Sequence, residues 1–144
     1  MDRRTFLATA TGLGVAGLAG CIGGAASSGD YDVGMTISTF RPRSIEVPPG
    51  TTVVWRNTSK HTHTVTAYEE ILPQGTEYFA SGGFETQSAA ERAWAENGGG
   101  GIQPGSTFEH EFTEPGNYAY FCIPHEPSNM VGTVVVSENA TPQN

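Results

Sequence analysis

Between Tyr118 and Gly132 the chain reads Tyr-Ala-Tyr-Phe-Cys-Ile-Pro-His-Glu-Pro-Ser-Asn-Met-Val-Gly. A thiol at Cys122, an imidazole at His125 and a thioether at Met130 thus follow one another at the spacing Cys-x2-His-x4-Met. Each residue alone has an ordinary reading: a buried small hydrophobe, a polar surface group, a core side chain. In this order, on one loop between two strand-like segments, they can curl around a single ion.

The ligand types select the metal. Thiolate and thioether are soft donors, and imidazole suits copper and zinc. Structural zinc wants four strong ligands, usually several cysteines. This segment offers one cysteine and a methionine, so copper is the expected ion. Two imidazoles and one thiolate around copper, with a weak axial thioether, form a type 1 site. That scheme needs a second histidine from elsewhere. His63, at the start of a strand after Trp55-Arg56-Asn57, is the first choice. His61, two residues earlier in a polar turn, reads as exposed. His110 lies mid-strand between Glu109 and Glu111 and shares a face with Phe108 and Phe112, which fits a structural histidine pointing inward. The expected metal set is therefore His63, Cys122, His125 and Met130.

The elements that must position these residues are short strands. Val33, Met35 and Ile37 alternate with smaller or polar residues, as a half-buried strand does. Ile45 and Val47 precede a Pro48-Pro49-Gly50 turn, and Thr51 to Arg56 is rich in β-formers. His63 to Tyr68 alternates with Val65 and Ala67 in register with His63. Thr107 to Thr113, Tyr118 to Cys122 and Val131 to Ser137 complete the series. Strands at this spacing predict a sandwich or barrel. The stretch 69–105 is too long for a bare loop and should hold structure of its own. Ser88-Ala89-Ala90-Glu91 has the form of a capping box, Ala90, Ala93 and Trp94 make one helical face, and Gly98 to Gly101 ends it. One short helix over about 86–98 is expected, covering an edge or end of the sandwich.

The ends of the chain read as an address. Arg3-Arg4 before Thr5-Phe6-Leu7 and a short apolar stretch to Gly20 has the form of an export signal, too short to span a membrane as a helix. The arginine pair resembles the twin-arginine signal. Leu18-Ala19-Gly20-Cys21 resembles a lipobox, in which the cysteine sulfur receives a lipid. The expected organisation is a signal peptide at 1–20, a lipid-anchored flexible tether at 21–29, one domain at 30–138 and a C-terminal tail at 139–144. A Cys21–Cys122 disulfide is the plain alternative in an exported chain. The chain carries 7 Lys+Arg against 15 Asp+Glu, a formal charge of −8, with Lys60 its one lysine. Such a surface repels nucleic acid, so no nucleic-acid partner is expected.

At this point the residues resemble a known family, the plastocyanin-type cupredoxins. The segment Tyr118 to Gly132 is similar to that family's copper loop, and Pro115-Gly116-Asn117-Tyr118 to the turn and strand leading into its cysteine. Trp55-x-Asn57 followed by His63 and Val65 resembles its first-histidine strand, and Val47-Pro48-Pro49-Gly50-Thr51 the turn before it. The acidic, lysine-poor, lipid-anchored form is most like the halocyanins, the archaeal members. The resemblance covers roughly residues 45–136 apart from the insert. It implies an all-β Greek-key sandwich with copper near one end, His63 supplied by the body of the fold and the other three ligands by the loop. It also implies that His125 lies near the surface, where protein redox partners dock. Thr64 departs from the family, which usually has Asn there to tie the two ligand loops; the Thr64 backbone N–H can still bond the Cys122 sulfur.

The expected function is an exported one-electron carrier, not an enzyme, on the outer face of the cell membrane. It would be anchored through Cys21 and would shuttle electrons between membrane respiratory complexes. No Ser-His-Asp pattern or phosphate loop is present, and the chain is too short for the extra copper centres of an oxidase or nitrite reductase. A copper-delivery or copper-storage protein is the alternative. Such carriers are commonly rich in Met and His, whereas this chain has only Met35 and Met130 after Met1.

Overall fold

The computed structural model describes residues 30–141; the expected signal, lipobox and tether lie outside them. Eight strands form two four-stranded sheets. β1 (Val33–Met35), β2 (Phe40–Arg41), β4 (Thr51–Asn57) and β6 (Thr107–Phe112) make the first, in the order β2-β1-β4-β6. β3 (Ser44–Val47), β5 (Thr66–Ala67), β7 (Gly116–Phe121) and β8 (Val131–Val136) make the second, in the order β3-β8-β7-β5. From β2 to β7 the chain changes sheet at every connection, and β1–β4 and β3–β8 are parallel pairs. This is the expected Greek-key sandwich.

Period-two alternation drives the assembly. β4 turns Val53, Trp55 and Asn57 inward, and β8 turns Gly132, Val134 and Val136 inward. Each large apolar side chain removed from water contributes about 1.5–3 kcal/mol before entropy is counted. Trp55 sits at the centre, edge-on to Tyr120 with ring centroids 5.3 Å apart. Tyr120 pairs across β7–β8 with Gly132. A Cβ on Gly132 would stand 2.5 Å from the Tyr120 Cζ and Oη, so glycine is what lets the ring lie over that strand.

Three sequence expectations are corrected. β1 stops at Met35; Thr36 turns back by donating its N–H to the Thr39 carbonyl, and Ile37 is 67% exposed instead of half-buried in a strand. The strand expected from His63 to Tyr68 shrinks to Thr66–Ala67, because residues 63–66 bond to the insert. His63 bridges to Ile102, Thr66 bridges to Ala80, and Ser81 pairs with Val65. With the insert on their outer side, His63 to Ala67 are all buried. The predicted helix is present as α1 (Gln87–Asn97), but Thr86 caps it, its hydroxyl accepting from the Ala89 N–H at 3.0 Å. Ser88, the expected cap, is already inside the helix. Gly98 ends α1 at φ 75°, and Ala90 is its buried contact. Among the described residues no helix is long and apolar enough to cross a membrane.

Candidate metal centre

At one end of the sandwich the structure brings together His63, Cys122 and His125, with one donor atom from each lying within 4.8 Å of the others. The Cys122 Sγ is 3.5 Å from His63 Nδ1 and 3.4 Å from His125 Nδ1. Around an ion with bonds of about 2.0 Å to nitrogen and about 2.3 Å to sulfur, such atoms stand roughly 3.6 Å apart. The donor set and its spacing therefore fit a soft transition metal.

Each ligand is placed by a different device. Cys122 follows β7 and carries a free, fully buried thiol. A short 3-10 helix, Ile123–Ser128, turns His125 back toward it, the His125 N–H bonding the Cys122 carbonyl at 3.1 Å. Asn129 then reverses the chain at φ 66°, a left-handed conformation that Asn adopts more readily than most residues. The loop is closed by two further bonds: Met130 N–H to the His125 carbonyl at 3.2 Å, and Cys122 N–H to the Met130 carbonyl at 3.0 Å. Met130 is fully buried in the core beside Cys122. His63 comes from the other side, held by two main-chain bonds to Ile102, of 3.3 and 2.7 Å.

Thr64 ties the two sides. Its N–H points at the Cys122 Sγ at 3.4 Å, as the sequence suggested. Its side chain does what the resemblance assigned to asparagine: Oγ1 accepts the Ile123 N–H at 2.8 Å and bonds Thr66 Oγ1 at 3.1 Å. Sequence reasoning missed this because a buried threonine beside a ligand carries no periodic signal. It also missed Tyr68, whose ring stacks on Phe121 at 4.4 Å and whose hydroxyl bonds Glu126 Oε2 at 2.8 Å, bracing the loop from outside. The competing histidines fall where expected. His61 is exposed, and His110 is partly buried and stacked on Phe79 at 4.7 Å.

Burial sets the electrostatics. It lowers His63 from 6.5 to about 4, with the nearby His125 adding to the shift and the Thr36 carbonyl opposing it. It also lowers His125, helped by His61, and raises the Cys122 thiol against the hydrogen bonds from Thr64 and His125. Both imidazoles are thus neutral at neutral pH, with lone pairs available, while the thiol needs a cation to deprotonate it.

Comparison with known proteins agrees. Residues 29–137 match the family described as copper binding proteins, plastocyanin/azurin family. The chain is similar to the chloroplastic plastocyanin of Hordeum vulgare, 29% identical over 118 residues, covering 81% of this chain and 67% of that one. It is similar also to that of Tetradesmus obliquus, 26% identical over 130 residues, 90% of this chain and 80% of the other. Amicyanin from Paracoccus versutus shares the fold, with a TM-score of 0.51 at 24% identity over 73% of this chain and 78% of that one. On its sequence, its sandwich and its cluster of His63, Cys122 and His125, the chain belongs to the plastocyanin/azurin family of copper-binding proteins, as a cupredoxin-type electron-transfer domain and not an enzyme.

Proposed function

We propose that the protein holds one type 1 copper ion between His63, Cys122, His125 and Met130. It carries single electrons between membrane redox partners on the outer face of the cell, in the manner of a halocyanin. The observation that carries this reading is two imidazole Nδ1 atoms 3.5 and 3.4 Å from one buried thiol, in a chain of a copper-binding family. Copper supplies the one-electron Cu(I)/Cu(II) couple. The protein supplies a set of donors acceptable to both states, held by strands on either side so that little rearrangement accompanies transfer. Met130, closing the loop from the core, would add a soft thioether to the two imidazoles and the thiolate holding the ion, and the apolar surroundings would tune its potential. His125 is the one histidine of the cluster that is not fully buried, so partners dock over it. The lipid on Cys21 keeps the domain at the membrane, where respiratory complexes donate and accept.

Metal analysis of the purified protein loaded with Cu(II) should give one copper per chain, and voltammetry one reversible one-electron wave. Copper that binds but gives no reversible wave points instead to copper delivery or storage. Cys21→Ser should move the protein from the membrane fraction to the soluble one, and no change in fractionation contradicts the anchor.

A further inference from the structure

Residues 77–85 of the insert and strand β6 together line a cleft of about 450 Å³, within the usual size of a small-molecule site. Its floor is fixed by main-chain bonds to the body of the fold. The Phe79 carbonyl accepts the Ala67 N–H at 3.1 Å, and the Ser81 N–H bonds the Val65 carbonyl at 2.7 Å. Aromatic rings line it. Phe79 stacks on His110 with centroids 4.7 Å apart, and Phe108, half-buried, leans on Trp55 at 5.5 Å. Phe84, also half-buried, is seated over glycine: a Cβ on Gly82 would stand 2.6 Å from its ring and one on Gly100 3.4 Å from it. The mouth is acidic. Glu77 and Glu85 line it and are exposed, and among the described residues neither carboxylate has a hydrogen bond or ion pair. Burial holds His110 below its ordinary 6.5 although Glu77 and Glu111 favour its charged form, so at neutral pH the ring adds no positive charge to offset these acids.

The chemistry of the lining narrows the occupant. An anion would meet two carboxylates on a chain of net charge −8. A neutral apolar molecule would strip water from those carboxylates without replacing it. A metal ion lacks donors here, since His63, Cys122 and His125 are the group of three or more His, Cys, Asp or Glu that comes together among the described residues. A primary ammonium is compact and strongly hydrated, and gains little from aromatic walls. A cation whose charge is spread over methyl groups sheds water readily, meets ring faces favourably and neutralises the acidic mouth. We propose that the cleft between residues 77–85 and β6 binds a small organic cation with a quaternary ammonium head, as a site separate from the copper ligands.

Choline and its uncharged carbon isostere, dimethylbutanol, separate charge from shape. Both are titrated into the copper-free full chain at constant ionic strength and followed by nitrogen-15 NMR, so the outcome does not depend on the copper reading. Choline should give saturable shifts centred on residues 77–85 and 108–110, and the isostere should bind at least about threefold more weakly. Phe84→Leu, which keeps an apolar side chain but removes the ring, should weaken choline binding about two- to fivefold, the worth of one exposed cation–π contact. Glu77→Gln, at an exposed position, should weaken it by a similar step. Equal affinity for choline and the isostere overturns the proposal, as does the absence of a saturable shift at these residues. Choline affinity unchanged in both variants overturns it as well.

Discussion

Burial keeps the imidazoles of the cluster neutral at rest, and that dictates its response to acid. In the folded metal-free chain burial holds His63 at about 4 against an ordinary 6.5, so the unfolded chain takes up that proton first as the pH falls. Above 6.5 the group is neutral in both states and contributes nothing. Between 6.5 and 4 its protonation favours the unfolded state progressively, and His125, also lowered, acts in the same sense. Thermal unfolding of the metal-free protein should therefore lose midpoint temperature as the pH drops from 6.5 to 4, and copper, which keeps both imidazoles and the thiolate unprotonated in the folded state, should raise the midpoint while steepening that loss. Equal acid sensitivity with and without copper would contradict the assignment. Thr64 gives a second prediction. Thr64→Val keeps the shape and the backbone bond to sulfur but removes the acceptor of the Ile123 N–H. It should cost about 1–3 kcal/mol in denaturant unfolding. The pairing of Cys122 with His125 was legible in the sequence because both lie on one loop, and His63 because a strand precedes it. The side-chain tie made by Thr64 was not legible, since its bonds join residues by side-chain geometry that leaves no spacing pattern.

The elements place these residues by close contact. Tyr120 lies over Gly132, and a methyl there would meet the phenol ring at 2.5 Å. Gly132→Ala should lower stability by about 1–3 kcal/mol through overpacking and, two residues from Met130, should disturb the copper spectrum as well. Ser81 is the corresponding brace in the insert. Its hydroxyl accepts the Val65 N–H at 3.0 Å and donates to the Gly100 carbonyl at 2.7 Å. Ser81→Ala leaves a buried N–H unpaired two residues from His63 and should cost about 1–3 kcal/mol, with faster copper loss to a chelator. Full stability and unchanged copper retention would show that the insert does not support the site. The strands β4, β6, β7 and β8 were legible from alternation, and α1 from its Ala-rich face and terminal glycines. The shortening of β5 was not, because His63 to Thr66 exchange ladder bonds for contacts with the insert that depend on how residues 69–105 fold back. The cap at Thr86 was missed for a local reason: Ser88 and Glu91 imitate a capping box, while Thr86 alone has the extended backbone, φ −142° and ψ 157°, that a cap needs.

At the scale of the whole molecule, 15 acidic residues against 7 basic ones give a field that reaches beyond any contact. Electron exchange of the copper-loaded protein with a small cationic redox reagent should slow as salt is raised, and exchange with an anionic one should quicken. Rates insensitive to salt with both reagents would mean that the charge does not face the proposed exit at His125. The sandwich presents the copper end of the fold through one partly exposed histidine and buries the other donors, which suits a carrier that must exchange electrons without exchanging its ion. The most direct test of that account is the visible and electron paramagnetic resonance spectrum of the Cu(II) protein beside that of Cys122→Ser. An intense blue thiolate-to-copper band with narrow copper hyperfine splitting, lost in the variant, is the predicted result. A colourless protein, or an ordinary tetragonal copper signal that survives Cys122→Ser, would contradict it.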